Sequence, residues 1–280
     1  MKIFSNLTNS ISSKLEKDFY IGVFQDSMTL LETPINTKFS NFATNIRELT
    51  RNLLEELAPD YQVQNCSWYE EVLNKEGKVV ITRVQRMTYT IKGGLSNQFI
   101  EEELEIDFSQ VTRKLNKVIN KLNKYTHLNE KVYFSDENQG FKMVENTLVA
   151  LDSFLNFISD FRSTLIFKLE ERLYSKVSDA LTEDVINEID ILATHYWIDG
   201  SSLGSITVSD ITSDEILIDA RGTVEVEHQY GSDGDFKRGD GVRFENSYPF
   251  QLSLILDINY PLEVSIQPEQ IIVDNSSFFE

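Results

Sequence analysis

The hydrophobic period of this chain changes once, near Trp197, from steps of three and four residues to strict alternation. A helix presents apolar side chains about every 3.6 positions and a half-buried strand every second one, so a pattern built for one cannot serve the other. The chain is therefore expected to be α+β, with an N-terminal helical domain followed by a C-terminal antiparallel β-sheet or sandwich domain. Phe39, Phe42, Ile46, Leu49, Leu53 and Leu57 predict an amphipathic helix that Pro59 ends. Helical spacing returns over 109–126 and again from Gly140 to about Thr194, the latter read as two or three helices. Between them, residues 61–95 break the pattern and read as a short hairpin or irregular β-like insertion ending at Gly93-Gly94. After Trp197, the pairs Ile206/Val208, Ile216/Ile218, Val224/Val226, Leu252/Leu254/Leu256 and Val264/Ile266 predict separate strands. The domains are placed at 1–175 and 176–280, joined by helix because no Pro/Gly/Ser-rich stretch divides them.

Charge follows the same division. Residues 1–175 carry 21 Lys/Arg against 24 Asp/Glu, whereas 176–280 carry 5 against 21, so the β-rich domain holds −16 of the formal −19. An acidic surface repels phosphate, but the nearly balanced helical domain can still meet it. The N-terminal segment lacks the continuous apolar core of a signal peptide and no later run approaches a membrane span, which predicts a cytoplasmic protein without a membrane partner. A single cysteine, Cys66, excludes an internal disulfide and a Cys-based zinc site; beside Trp68 and Tyr69 it reads as a small buried hydrophobe.

The helix SQVTRKLNKVINKLNKYTH carries Val111, Leu115, Val118, Leu122 and Tyr125 on one stripe. Lys114, Lys117, Lys121 and Lys124 form a second, basic stripe on the same helix, and from Arg113 to Lys131 there are six basic residues and one acid. This is the candidate nucleic-acid surface, with Asn116, Asn120 and Asn123 as flanking donors; the bland alternative is a solvated face with lysines favoured by the helix dipole. His127, just past the helix, titrates near neutrality and would act as general acid or base toward a ribose 2′-hydroxyl or leaving oxygen, with Lys121 stabilising the phosphorane charge. The competing reading is a His that caps the helix end. This arrangement is similar to HEPN-type ribonucleases, in which an Arg and a nearby His line a shared cleft, except that Lys121 stands at the Arg position.

Arg83 and Arg86 are placed on an extended segment with Lys92, next to glycines that allow close approach to phosphate. Arg47 and Arg51 are expected to be surface residues paired with Glu48 or Glu55. In the acidic half, Glu225 and Glu227 share a strand face about 7 Å apart, and a glycine-rich loop follows with Asp233, Asp235 and Asp240. Glu225, Glu227 and Asp233 are the candidate ligands for a divalent ion, Mg²⁺ or Mn²⁺; the alternative is a polar outer face and a turn. A restriction-type nuclease would carry Lys two positions after the acid, where this chain has Glu227. His228 is expected on the opposite face from the two glutamates, and His195 as a packed junction residue.

The segments FSNFATNIRELTRNLLEELAPD, TRVQRMTYTIKGGLS, LNKYTH and VEVEHQYGSDGDFKRGDG followed by SYPF resemble the predicted pPIWI-associating nuclease family of prokaryotic defence loci. The resemblance implies a protein encoded beside Argonaute-like or other anti-phage components, partnered with other defence-system proteins and proposed to cut RNA or DNA. The expected function is thus a nuclease component of a bacterial anti-phage system, working through His127 with Lys121 or through a bound metal. A second class remains open: a non-catalytic sensor or adaptor whose acidic β domain binds a basic protein partner. The long helical stretch after Gly140 is also compatible with a homo-oligomeric scaffold.

Overall fold

The computed structural model describes residues 4–183 and 185–279. The chain forms two compact units, 1–161 and 162–280. The division falls inside one helix, upstream of the 175/176 boundary read from the sequence.

The first unit begins with α1 (Ser5–Ser12), α2 (Asp18–Leu31) and α3 (Lys38–Leu57). Phe39, Phe42, Ala43, Ile46, Leu49, Leu53 and Leu54 make the buried side of α3, which packs against α2 and the later α5 and α7. Pro59 lies just beyond its end and leads into the short α4 (Asp60–Asn65). Cys66 is buried with Ala58, Val63 and Tyr89, and Trp68 and Tyr69 pack on this cluster. A minimal hairpin follows, held by one isolated bridge between Leu73 and Val79 with Gly77 at φ 75°.

Residues 83–92 are not extended. They form α5 (Arg83–Lys92), because Thr82 and Gln85 make a reciprocal capping box: Thr82 accepts from the Gln85 backbone and Gln85 from that of Thr82. The alternation of Met87, Tyr89 and Ile91 comes from a helix buried on more than one side. Gly93 ends α5 at φ 54° and its carbonyl is taken by Trp68 Nε1 and Cys66 Sγ, so this turn is packed inside and offers phosphate no approach. A short helical stretch follows, α6 (Asn97–Phe99) and a π-helical turn over Ile100–Leu104, and leads to α7 (Ser109–Thr126). Next come α8 (Glu130–Tyr133) and α9 (Glu137–Glu183). The helical region predicted as two or three helices after Gly140 is one helix of 47 residues. No helix among the described residues is long and apolar enough to cross a membrane.

In the second unit, α9 buries Leu165, Leu169, Leu173, Val177 and Leu181, and Tyr174 Oη donates to Ser201 O at 3.2 Å. After α10 (Asn187–Asp190) come β1 (His195–Ile211) and β2 (Glu215–Tyr230), then α11 (Asp233–Arg238), β3 (Val242–Asp257) and β4 (Ile271–Val273). The strands form an antiparallel meander in sequence order. The stretches Ile216/Ile218 and Val224/Val226 lie in one long β2, and Val264/Ile266 lie in no strand. One face is buried in register: Ile216 opposite Leu256, Ile218 opposite Leu254, Val224 opposite Tyr248, His228 opposite Phe244. His195 is exposed rather than packed, because it starts a strand edge with only a distant ring contact to Trp197.

Candidate nucleic-acid interface

The apolar side of α7 is Thr112, Leu115, Ile119 and Leu122, all buried, which fixes the rotation of the helix. Val118 and Tyr125 flank this side, and the lysines follow around the cylinder on the side toward α9. Lys114, Lys117, Lys121 and Lys124 are all exposed. None has an ion-pair partner among the described residues, so their charge is not cancelled by protein carboxylates. Together with Val118 and Tyr125 they form one wall of a groove of about 1040 Å³. The other wall comes from the first turns of α9 and includes Asn138, Gln139, Lys142 and Asn146. Its acid, Glu145, is bound to Lys142 at 2.9 Å. The groove therefore combines free ammonium groups, neutral amides and a phenol ring, a set suited to a phosphodiester backbone with adjoining bases.

His127 is the C-terminal cap residue of α7 and is exposed. Its carbonyl accepts from Asn129 Nδ2 at 3.0 Å. The imidazole is outside the residues lining the groove and has no partner among the described residues, so nothing there orients it beside Lys121. Arg83 is half-buried and donates through Nη1 to Asn116 Oδ1 and Asn120 Oδ1, at 3.1 and 3.0 Å. Those asparagines are thereby engaged by a protein donor. Burial, and then the nearby charge of Arg47, hold the Arg83 pKa below its ordinary value. Arg86 has a different situation: it donates to Ala58 O, at the end of α3, and pairs with Asp60 at 2.5 Å. Its guanidinium ties α5 to the α3–α4 corner, away from the lysine groove.

Two family models, both described as predicted pPIWI-associating nuclease, match residues 12–151 and 158–279. The chain belongs to this family. No curated protein and no solved structure matches it. The two matched segments meet inside α9, close to the division between the two compact units. In this member of the predicted pPIWI-associating nucleases, the lysine groove lies wholly within the first matched segment.

The acidic residues of the second segment are dispersed. Glu225 and Glu227 point to the outer face of β2, opposite to His228, as the strand period requires. Glu227 pairs with Arg243 Nη1 at 3.2 Å, and that guanidinium lies between the rings of Trp197 and Phe236, 4.8 and 4.5 Å from their centroids. Asp233 is in the first turn of α11 and accepts from Gln229 Nε2 at 3.1 Å. The region read as a metal-binding loop is a short capped helix, with Ser232 and Asp235 as its capping box. Among the described residues no three His, Cys, Asp or Glu side chains are grouped to hold a metal ion. Glu225, Glu227 and Asp233 are thus not brought together, because Arg243 and the α11 cap take two of them.

Lys142, Asn138 and Asn146 escaped the sequence reading. Their four-residue spacing puts them on one helix face, but only the packing of α9 beside α7 turns that face toward the lysines.

Proposed function

We propose that this chain is the nucleic-acid-gripping and cleaving component of a prokaryotic anti-phage defence system, acting with other proteins of the same locus. The observation that carries the reading is the groove in which four unpaired lysines of α7 face the amides and Lys142 of α9. Such a groove holds a strand by its phosphates without reading sequence, and Tyr125 gives a base a face on which to stack. In the chemistry we favour, His127 removes the proton of a ribose 2′-hydroxyl, the oxygen attacks phosphorus and the 5′-oxygen leaves. Lys121 offsets the charge on the phosphorane, and the bound strand brings the scissile phosphate to the end of α7. A divalent ion, Mg²⁺ or Mn²⁺, would instead act as a Lewis acid on the phosphate and enter with it.

A second reading, a sensor or adaptor that binds nucleic acid and a basic protein without cutting, is supported by the −16 charge of residues 176–280. One assay separates them. Purified protein is incubated with labelled single-stranded RNA and DNA, with EDTA or with Mg²⁺ or Mn²⁺, alongside His127→Ala and a Lys117→Gln/Lys121→Gln double variant. Cleavage of RNA in EDTA that His127→Ala abolishes, with binding intact, supports the imidazole route; cleavage only with the divalent ion moves the chemistry to the metal. Binding without cleavage in every condition leaves the adaptor. Unchanged affinity in the double lysine variant would remove the groove from the account.

A further inference from the structure

Arg47 of α3 and Arg83 of α5 form a second cationic feature, apart from the residues lining the lysine groove. The sequence predicts Glu48 or Glu55 as partner for Arg47, yet Arg51 takes both, at 3.0 and 2.8 Å. Arg47, half-buried, has no carboxylate within ion-pair distance among the described residues. Arg83 is also half-buried, and the groups that hold it are the amide oxygens of Asn116 and Asn120. Neutral acceptors orient a guanidinium but leave its charge uncancelled. The two cations lie close enough that Arg47 makes the charged form of Arg83 less favourable, after burial itself. Arg83 is also the first residue of α5, where the helix dipole adds positive potential.

Two like charges held together partly out of water oppose folding unless an anion joins them. Guanidinium forks match the tetrahedral oxygens of phosphate, and Arg is favoured over Lys wherever that geometry counts. We infer that Arg47 and Arg83, braced by Asn116 and Asn120, form a phosphate-binding seat at the junction of α3, α5 and α7. The inference deepens the nucleic-acid reading and rests on it for the source of the phosphate. Asn116 and Asn120 each precede a groove lysine, Lys117 and Lys121, and so stand about 100° around α7 from them. A strand that used both features would cross α7 rather than lie along it.

The test reads thermal unfolding of the full chain in inorganic phosphate against chloride of equal ionic strength. Wild type is expected to gain a few degrees in Tm from phosphate, by mass action on the folded state. Arg47→Gln abolishes the gain, and its Tm in chloride equals or exceeds that of wild type, because a repulsive charge has gone. Arg51→Gln, which breaks a true ion pair, keeps the gain. Arg83→Gln also loses the asparagine braces and risks misfolding, so Arg47→Gln carries the test. A full phosphate shift in Arg47→Gln, or a Tm in chloride well below wild type, would overturn the seat. Oligonucleotide binding then names the source. Several-fold weaker affinity in Arg47→Gln, with a salt slope reduced by about one, makes it a strand phosphate; unchanged affinity with a lost Tm gain makes it a free phosphorylated ligand. The Lys117→Gln/Lys121→Gln variant retains the phosphate-induced gain even if it no longer binds strands, which keeps failure of the groove distinct from failure of the seat.

Discussion

Lys92 is fully buried, and its ammonium donates to Leu95 O and Asn97 Oδ1 at 2.7 and 2.6 Å with the Trp68 ring 5.1 Å away. Burial pushes its pKa down from 10.5 to about 8, against smaller opposing effects of Cys66 and Glu101. Between those two values the unfolded chain holds a proton that the folded chain has released, so stability rises with pH across that window. Chemical denaturation of wild type and Lys92→Met at pH 7.5 and 9.5 should show the difference moving in favour of wild type by about 2 kcal/mol. No movement would mean that the ammonium is better solvated than its burial implies. His228 works in the acid range. It is fully buried, its Nε2 is 2.8 Å from Tyr248 Oη, and its Nδ1 has no hydrogen-bond partner. Burial lowers its pKa, so below the ordinary 6.5 the unfolded state takes up a proton that the folded state resists, and stability falls as pH falls through that region. His228→Gln is expected to flatten the loss of stability between pH 6.5 and 5, read by denaturant midpoints; an unaltered slope would assign the acid sensitivity to other groups.

At the scale of elements, legibility followed whether the signal was local. The helices over 38–57 and 109–126 carry a full apolar stripe and were readable to within a residue or so. Helix α5 was misread because alternation at Met87, Tyr89 and Ile91 imitated a strand, while the Thr82-x-x-Gln85 cap carried the opposite message. Thr82→Ala should therefore lower stability by about 1 kcal/mol, measured by urea unfolding, since a backbone amide loses its partner. The β2 strand was read in two pieces because Arg221-Gly222 interrupts its large apolar residues. Gly222 is there for space: a Cβ would lie 2.2 Å from Ser202 O and 2.5 Å from Phe250 Cζ. Gly222→Ala must displace a strand backbone, and a loss of about 1–3 kcal/mol is expected in the same measurement. For the site, the α7 lysines were legible within one helix, whereas Lys142 and the Arg47–Arg83 pair depend on neighbours distant in sequence, which no local period encodes.

For the whole molecule, 45 acidic residues against 26 basic ones give a net charge that opposes any approach of a polyanion. Binding must then come from local charge that outweighs the mean field at short range, and the two contributions respond oppositely to salt. At about 0.15 M the screening length is about 8 Å, so the far acidic residues are masked while contacts inside the groove persist. Counterions released from the strand by the lysines make affinity fall as salt rises, by about 0.7 in logarithmic slope for each phosphate contact on a single strand. Repulsion from the net charge would make affinity rise instead. We therefore expect the logarithm of the association constant for a single-stranded oligonucleotide to decline between about 0.1 and 0.4 M KCl with a slope near −3, as four lysine contacts require. The Lys117→Gln/Lys121→Gln variant should bring that slope to about half. A flat or rising dependence in wild type would show that the net charge prevails over the groove, and the interaction surface of this protein would then have to be sought on its acidic residues and a cationic partner.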